Sequence, residues 1–325
     1  MIEILSNGAP NLVQDLGRLK HLHIGVSRSG AMDSMALSIA NALVGNEANA
    51  AAIEISLFPF RARFQIDTYF ATTGGDSVVR LDAELLAPWW RRLARAGQTI
   101  IIERPKRGAR AYLAFSGGLD VAQVMGSRST DLKGRFGGHQ GRGLLRGDIL
   151  QLNSKSVASD KKPGLGIIPK ELPTFWNELS SGRVVVRVLP AAEYAHFTDE
   201  AHKKFVQTGY EITPEANRVG YRLSGEALPL KASLELLSHG IVPGTIQVPP
   251  SGQPIIQLAE ANTCGGYPKI ATVIEADLWK LAQTPIGCKL HFQITDIDSA
   301  LSALRTRISE VARFRENLAL MDNRG

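Results

Sequence analysis

Cysteine is almost missing from this chain: Cys264 and Cys288 are the two among 325 residues. Two thiols make no disulfide framework, and neither stands in a spacing that would seed a zinc site. No apolar run approaches the roughly 20 residues a membrane-spanning helix needs. The opening Met1-Ile2-Glu3-Ile4-Leu5 lacks the basic flank and apolar stretch of an export signal. These lacks predict reduced thiols, a cytoplasmic location and no membrane partner. The nucleotide signatures are missing too. There is no G-x-x-x-x-G-K-[ST] cradle and no strand-linked G-x-G-x-x-G. Gly138-His139-Gln140-Gly141-Arg142-Gly143 is rich in glycine, but its spacing does not fit a phosphate loop. His139 there reads equally as an anion contact or a turn residue. Any ATP used is therefore expected to be bound mainly by another polypeptide.

Charge of one sign is not concentrated either. Lys and Arg number 37 against 31 Asp and Glu, a net +6, but they are scattered and not interleaved with the few aromatics (6%). A solvated, slightly basic surface follows, and nucleic acid is excluded as an expected partner. His21 and His23 would share a face of a strand, but no further ligand stands near them, so no metal is expected. Neither cysteine lies in a nucleophile motif, and Ser116-Gly117-Gly118 is not a nucleophile elbow.

What is present is glycine (31 residues) and a 44% hydrophobic content, in a chain too long for one ordinary core. Two lobes are expected: residues 1–160, a linker or crossover over 161–182, and 183–325 ending in a helix. The linker expectation rests on Ser154 to Pro173, which is rich in Ser, Lys, Gly and Pro. In the first lobe Asp33 is placed to cap a helix running to about Val44, with Met32, Ala36, Ile39 and Leu43 at helical spacing and Gly45-Asn46 as the stop. Strands are expected at Ala62–Ile66, Thr99–Glu103, Ala111–Ser116 and Ile149–Leu152. The role of the Trp89-Trp90 pair in Leu85–Arg95 stays open.

In the second lobe, Val184, Val186 and Val188 alternate along Arg183–Leu189, the pattern of a half-buried strand. Ala195–Thr208 reads as a helix, and Gly244–Val248, Pro254–Leu258 and Ile270–Ile274 as strands. Asp277 is expected to cap a helix through Ala282, and Asp298–Leu320 to form a charged amphipathic helix. Strands without a βαβ rhythm predict a mainly β protein with short helices, an α+β chain built of barrel-like lobes.

The most informative stretch runs from Gly240 to Asp277. Pro and Gly bracket its short apolar strands, fixing tight turns and leaving polar side chains at strand ends. Lys269 follows the rigid Gly265-Gly266-Tyr267-Pro268 turn, where its ammonium has reach to a carboxylate, carbonyl or phosphate oxygen, with Tyr267 as a second donor. A plain hairpin with a solvated lysine explains the same composition.

These residues resemble the allophanate hydrolase subunit 2 family, also called the biotin-dependent carboxyltransferase family, which includes the C-type component of 5-oxoprolinase. The matching strings begin with Val13-Gln14-Asp15-Leu16-Gly17-Arg18, Ser29-Gly30-Ala31-Met32-Asp33 and Leu43-Val44-Gly45-Asn46, with Glu54 soon after. They continue at Ser116-Gly117-Gly118-Leu119-Asp120, Gly126-Ser127-Arg128-Ser129-Thr130, Gly137-Gly138 and Gly147-Asp148. Asn217-Arg218-Val219-Gly220-Tyr221-Arg222-Leu223 and the whole of Gly240 to Leu281 complete them. Three places depart: Ala259-Glu260-Ala261-Asn262-Thr263-Cys264 stands where the family usually has Ala-Asp-Arg-Gln-Thr-Thr, Ser38 where it often has Arg, and Asn217-Arg218-Val219 where Asp-Arg-Met is common.

The resemblance implies two cyclophilin-like β-barrel lobes. It implies a partner similar to allophanate hydrolase subunit 1 (the B-type component of 5-oxoprolinase) and a third, A-type component. With them, ATP hydrolysis would drive opening of the 5-oxoproline lactam to glutamate, and the chain is expected to be inactive alone. The alternatives implied are the carboxyltransferase component of a biotin-dependent urea or amide carboxylase, or a non-catalytic regulator of a kinase-inhibitor-like partner. No Met-Lys-Met motif occurs, so no biotin is expected on this chain. In either chemistry a planar amide must be held while charge develops on its oxygen. Lys269 and Tyr267 are the expected catalytic donors, and Arg218, Tyr221, Glu260, Asn262, Gly265 and Gly266 the expected substrate contacts.

Overall fold

A computed structural model describes residues 1–6, 8, 10–153 and 164–322. The chain divides into two compact units, and the division is not a simple cut along the sequence. One unit holds Met1–Arg18, Ser29–Lys170 and Ile308–Gly325; the other holds Leu19–Arg28 and Glu171–Arg307. The second assignment is visible in an ion pair 3.6 Å long between Arg28 and Glu275.

The first unit carries β1 (Ile2–Ile4), β2 (Leu12–Gln14), α1 (Ser34–Leu43), β3 (Ala52–Ile55), β4 (Phe60–Phe64), β5 (Thr68–Gly74), β6 (Val79–Leu81), β7 (Glu84–Leu86), β8 (Trp90–Ala94), β9 (Thr99–Ile102), β10 (Ala111–Phe115) and β11 (Ile149–Leu150). They form two sheets, in the orders β11-β1-β4-β9-β6-β7 and β2-β3-β10-β5-β8. One core lies between them: Ile4, Phe60, Phe64 and Ile100 from the first sheet meet Ile53, Phe70, Leu113 and Phe115 from the second. Period-two alternation sets this up. Phe60, Ala62 and Phe64 point inward while Arg61 and Arg63 stay exposed. β5 and β10 break the alternation, being buried at every residue. Their other face is covered by α1, to which Thr73 Oγ1 is tied by a 2.7 Å bond to the Ala36 carbonyl. Asp33 caps α1 as expected, its Oδ1 accepting from Ala36 N at 2.8 Å. Of the tryptophan pair, Trp89 is buried and donates its indole N–H to Gly74 O at 3.1 Å, whereas Trp90 is half-exposed at the start of β8.

Two of the family-like strings converge on one buried carboxylate. Asp15 Oδ1 accepts from Ser127 Oγ and Ser129 Oγ, each at 2.6 Å, and from Gly17 N at 2.8 Å, while Oδ2 takes Arg128 N at 2.6 Å. The guanidinium of Arg18 lies over the Phe136 ring at 4.6 Å. Gly137 and Gly138, both at positive φ, press their backbone against Ser129 and Thr130, so neither has room for a Cβ.

The second unit carries α2 (Glu171–Ser180), β12 (Arg183–Pro190), α3 (Asp199–Gln207), β13 (Tyr210–Ile212), β14 (Gly220–Ser224), β15 (His239–Gly240), β16 (Thr245–Gln247), β17 (Ile255–Gln257), β18 (Cys264–Gly265), β19 (Lys269–Val273), α4 (Leu278–Gln283), β20 (Lys289–Ile294) and α5 (Ile297–Asp322), whose last turns belong to the first unit. A closed barrel runs β12-β19-β16-β17-β14-β13-β20, and β15 and β18 form a separate two-stranded ladder. Val184, Val186 and Val188 are fully buried along β12, as their alternation predicted. α3 closes one face, with Phe205 stacked on Phe292 at 4.6 Å. The mainly β architecture with short helices and a barrel agrees with the expectation from sequence.

Three local expectations need correction. The stretch 161–182 is not a linker throughout: residues 171–180 form α2, with Leu172, Phe175 and Trp176 buried and Phe175 packed 4.7 Å from Trp279. Pro173 sits in the first turn, where its missing N–H costs nothing. Residues 154–163 lie outside the described part, but Leu165 and Ile167 already bond the backbone of Arg91 and Trp89. Asp277 precedes α4 without a side-chain cap; its carboxylate faces Arg187 instead, with Nη2 at 2.6 Å and Nε at 3.0 Å. The helix expected from Ala195 starts later, at Asp199, because Thr198 caps Ala201 N at 3.1 Å after a short 3-10 turn.

Candidate active site

β16 and β19 pair antiparallel with a register shift between Ile246 and Gln247, which sets Gln247 opposite Lys269. Such bulges re-aim side chains. Lys269 begins β19 with its side chain 12% exposed, as is that of Glu193. Glu193 follows β12, in a segment held by the Ala191 N to Ile270 O bond of 3.1 Å. Its Oε2 accepts from the Lys269 backbone N at 3.0 Å and lies 3.3 Å from the Lys269 ammonium. The same ammonium meets Nε2 of His239, whose other nitrogen, Nδ1, is 2.9 Å from Leu237 O. The lysine is therefore not solvated. It stands between the Glu193 carboxylate and the His239 imidazole.

Two buried amides continue the cluster along the barrel wall. Gln257 Nε2 donates to Gln247 Oε1 at 2.9 Å, and Gln247 Nε2 donates to Tyr267 O at 3.3 Å. The glycine pair is needed for this approach. A Cβ on Gly265 would sit 2.8 Å from Gln247 Nε2, and one on Gly266 would sit 3.0 Å from Leu236 O. Gly265 in turn is the ladder partner of His239. Lys269, Gly265, Gly266 and the Tyr267 main chain are thus gathered around Gln247 and the β15–β18 ladder. The Tyr267 ring itself is half-exposed.

Arg218 and Glu260 form a second group, where the chain enters β14 and leaves β17. Arg218 Nε donates to Glu260 Oε1 at 2.7 Å, and Glu260 N to Arg218 O at 2.9 Å; the side chains are 10% and 3% exposed. Two expected substrate contacts therefore engage one another. Tyr221 is buried in β14 opposite Ile256, and Asn262 is exposed. Glu193, His239, Gln247 and Gln257 escaped the sequence reading. They lie 10 to 76 residues from their partners in the chain, and only barrel closure and strand register bring them together.

Elsewhere, in the Gly138–Gly143 run, Gly138 packs against Thr130 and Gly141 against the Arg135 carbonyl, so neither has room for a Cβ. His139 lies 3.4 Å from Asp148, a carboxylate held by both Arg142 terminal nitrogens at 2.8 Å. The Arg142 hydrogen bonds, against a smaller opposing effect of burial and with help from Leu145 N and His139, hold Asp148 down to about 2. Among the described residues no three His, Cys, Asp or Glu side chains are grouped to hold a metal, and no helix is long and apolar enough to cross a membrane.

Comparison with known proteins bears on this geometry. Residues 24–294 match the carboxyltransferase domain, subdomain A and B. The chain is 41% identical to the C-type component of 5-oxoprolinase from Escherichia coli over 98% of both chains. It is 40% identical to the corresponding 5-oxoprolinase component from Haemophilus influenzae over 94% of both. Its fold follows the crystal structure of urea amidolyase from K. lactis with a TM-score of 0.88 and 29% identity, covering 96% of this chain and 20% of that one.

Proposed function

The chain belongs to the family of the carboxyltransferase domain, subdomain A and B, and on that premise we propose that it is the C-type component of an ATP-dependent 5-oxoprolinase. It would open 5-oxoproline to glutamate together with a B-type component, similar to allophanate hydrolase subunit 1, and an A-type component, in the cytoplasm. The end-to-end match with two proteins named as the C-type component of 5-oxoprolinase carries this reading. The site is suited to it. A lactam resists water because its nitrogen lone pair is delocalised into the carbonyl. Attack at the carbonyl carbon moves charge onto the oxygen, and a fixed cation beside ordered N–H donors stabilises that charge. Lys269 is such a cation, held by Glu193 and His239 before any substrate arrives. Tyr267 is proposed as a further donor, with Gly265 and Gly266 shaping the backbone, and Arg218, Tyr221, Glu260 and Asn262 are proposed as substrate contacts, the first and third of them paired with each other. ATP is assigned mainly to a partner polypeptide, since the sequence carries no nucleotide-binding signature.

Co-expression of the three components, with glutamate release from 5-oxoproline and ATP as the assay, tests the proposal. Activity is expected only when this chain is present; equal activity without it overturns the assignment. The fold shared with urea amidolyase favours one second reading, a carboxyltransferase component that passes a carboxyl group from biotin carried elsewhere to urea or a related amide. Carboxyl transfer from carboxybiotin in the reconstituted pair, with no lactam opening, would establish that instead.

A further inference from the structure

The imidazole beside Lys269 belongs to no string singled out for chemistry, yet its geometry is restrictive. His239 Nδ1 lies 2.9 Å from the carbonyl oxygen of Leu237, and a carbonyl oxygen only accepts. Nδ1 must therefore carry the hydrogen. Nε2 faces the Lys269 ammonium, which only donates. A hydrogen on Nε2 as well would set two donors and two positive charges against each other. Nε2 must therefore present its lone pair.

We propose that His239 is the positioning residue for Lys269, fixed in the neutral Nδ1–H tautomer so that Nε2 accepts one ammonium hydrogen. Glu193, at 3.3 Å, draws a second. An ammonium has three hydrogens, so one direction is left for a substrate oxygen. The charged group facing His239 is the Lys269 ammonium, which Glu193 pairs from its own position, and Cys264 stands on the strand paired with that of His239. A flexible lysine is a poor oxyanion donor because it must give up its rotamer freedom at the moment of reaction. Here the ladder that carries Gly265 also carries the group that orders the lysine. The catalytic consequence rests on the 5-oxoprolinase reading; the tautomer and the contact do not.

Two substitutions separate the roles of the ring nitrogens. His239→Gln keeps an acceptor near the reach of Nε2, whereas His239→Asn reaches only as far as Nδ1. In the assembled enzyme His239→Asn is expected to lower kcat by roughly tenfold to a hundredfold with KM nearly unchanged, and His239→Gln to restore most of the loss. Equal activities for the two variants overturn the proposal. Nitrogen-edited NMR of the imidazole in the full chain supplies a readout without substrate. The wild type is expected to show a protonated Nδ1 and a bare Nε2, with the Nε2 resonance shifting in Lys269→Met. An Nε2–H tautomer, or an Nε2 resonance indifferent to Lys269→Met, also overturns it. Should the complex fail to open 5-oxoproline while the ring spectrum is as described, the assigned reaction falls and the positioning role stands.

Discussion

At the scale of single residues, Arg218 and Glu260 show how a buried ion pair constrains interpretation. Each has little access to water, and their bond of 2.7 Å takes up charge that a substrate would otherwise meet. Removing one partner strands the other charge in a low-dielectric site, which costs about 3–5 kcal/mol, whereas an apolar pair of similar volume is often neutral. Arg218→Met and Glu260→Leu are therefore each expected to weaken the β14–β17 region by about that amount, and the double variant to regain most of it. Hydrogen exchange of the β14 and β17 amides measures this. If the double variant is stable and retains its KM for 5-oxoproline, the pair is structural; a raised KM in a stable protein restores it to the substrate site. Lys269 is expected to behave differently. Lys269→Met leaves the backbone N–H of residue 269 on Glu193, so the fold should persist. The loss should fall on kcat, by about a hundredfold to a thousandfold, as for other fixed donors to an oxyanion. A fall of less than about fivefold would remove Lys269 from the chemistry.

Among elements, the end of α5 is tied down chiefly by a buried arginine, with Arg315 also reaching Glu47 at 3.1 Å. Arg91, fully buried on β8, donates Nη1 to Leu43 O at 3.0 Å and to Asp322 Oδ2 at 2.8 Å, with Nη2 on the other carboxylate oxygen. α5 buries little else in its last turns, Leu318 being its buried residue among those described. Asp322→Ala is expected to release residues 308–322 to rapid hydrogen exchange while β8 keeps its pairing with β5; full protection of that segment would refute the anchoring role. The strength of this tie was not legible in sequence, because it joins residues 231 apart. What was legible follows periodicity. The valine alternation of β12, the capped start of α1 and the Pro- and Gly-bracketed strands near Lys269 each declare themselves within one short segment. What misled was local chemistry with two uses. Pro173 reads as part of a linker but sits in the first turn of α2, and Asp277 reads as a cap but is claimed by Arg187. The candidate site was half legible for the same reason. The glycines and Lys269 lie in one string, while Glu193 and His239 reach it only through strand register.

Over the whole molecule, each unit has a carboxylate held below its ordinary range, and this sets an acid limit to stability. In the first unit Asp148 is brought from 3.8 to about 2, chiefly by the hydrogen bonds from Arg142. In the second, burial pushes Asp277 up, but the Arg187 hydrogen bonds and the nearby Lys280 charge outweigh it and leave the carboxyl lowered. A carboxylate depressed in the folded state binds its proton more readily once unfolded. Its stabilisation is complete above the unfolded value, near pH 4, and drains away as pH falls toward 2. For Asp148 the shift corresponds to roughly 1–2 kcal/mol after allowance for its partial access to solvent. With two units a single unfolding midpoint is ill-defined, so each needs its own probe. The Ile4 amide, bonded to Asp148 O at 2.9 Å, reports on the first, and the Arg187 amide, bonded to Asp277 Oδ2 at 2.9 Å, on the second. Exchange protection at both, corrected for intrinsic rates, is expected to decline between pH 4 and pH 2. Asp148→Asn should lower protection at Ile4 at neutral pH and flatten its decline in that window, leaving the slope at Arg187 as it was. An unchanged slope at Ile4 in that variant would show that the Arg142–Asp148 pair does not govern acid stability in its unit.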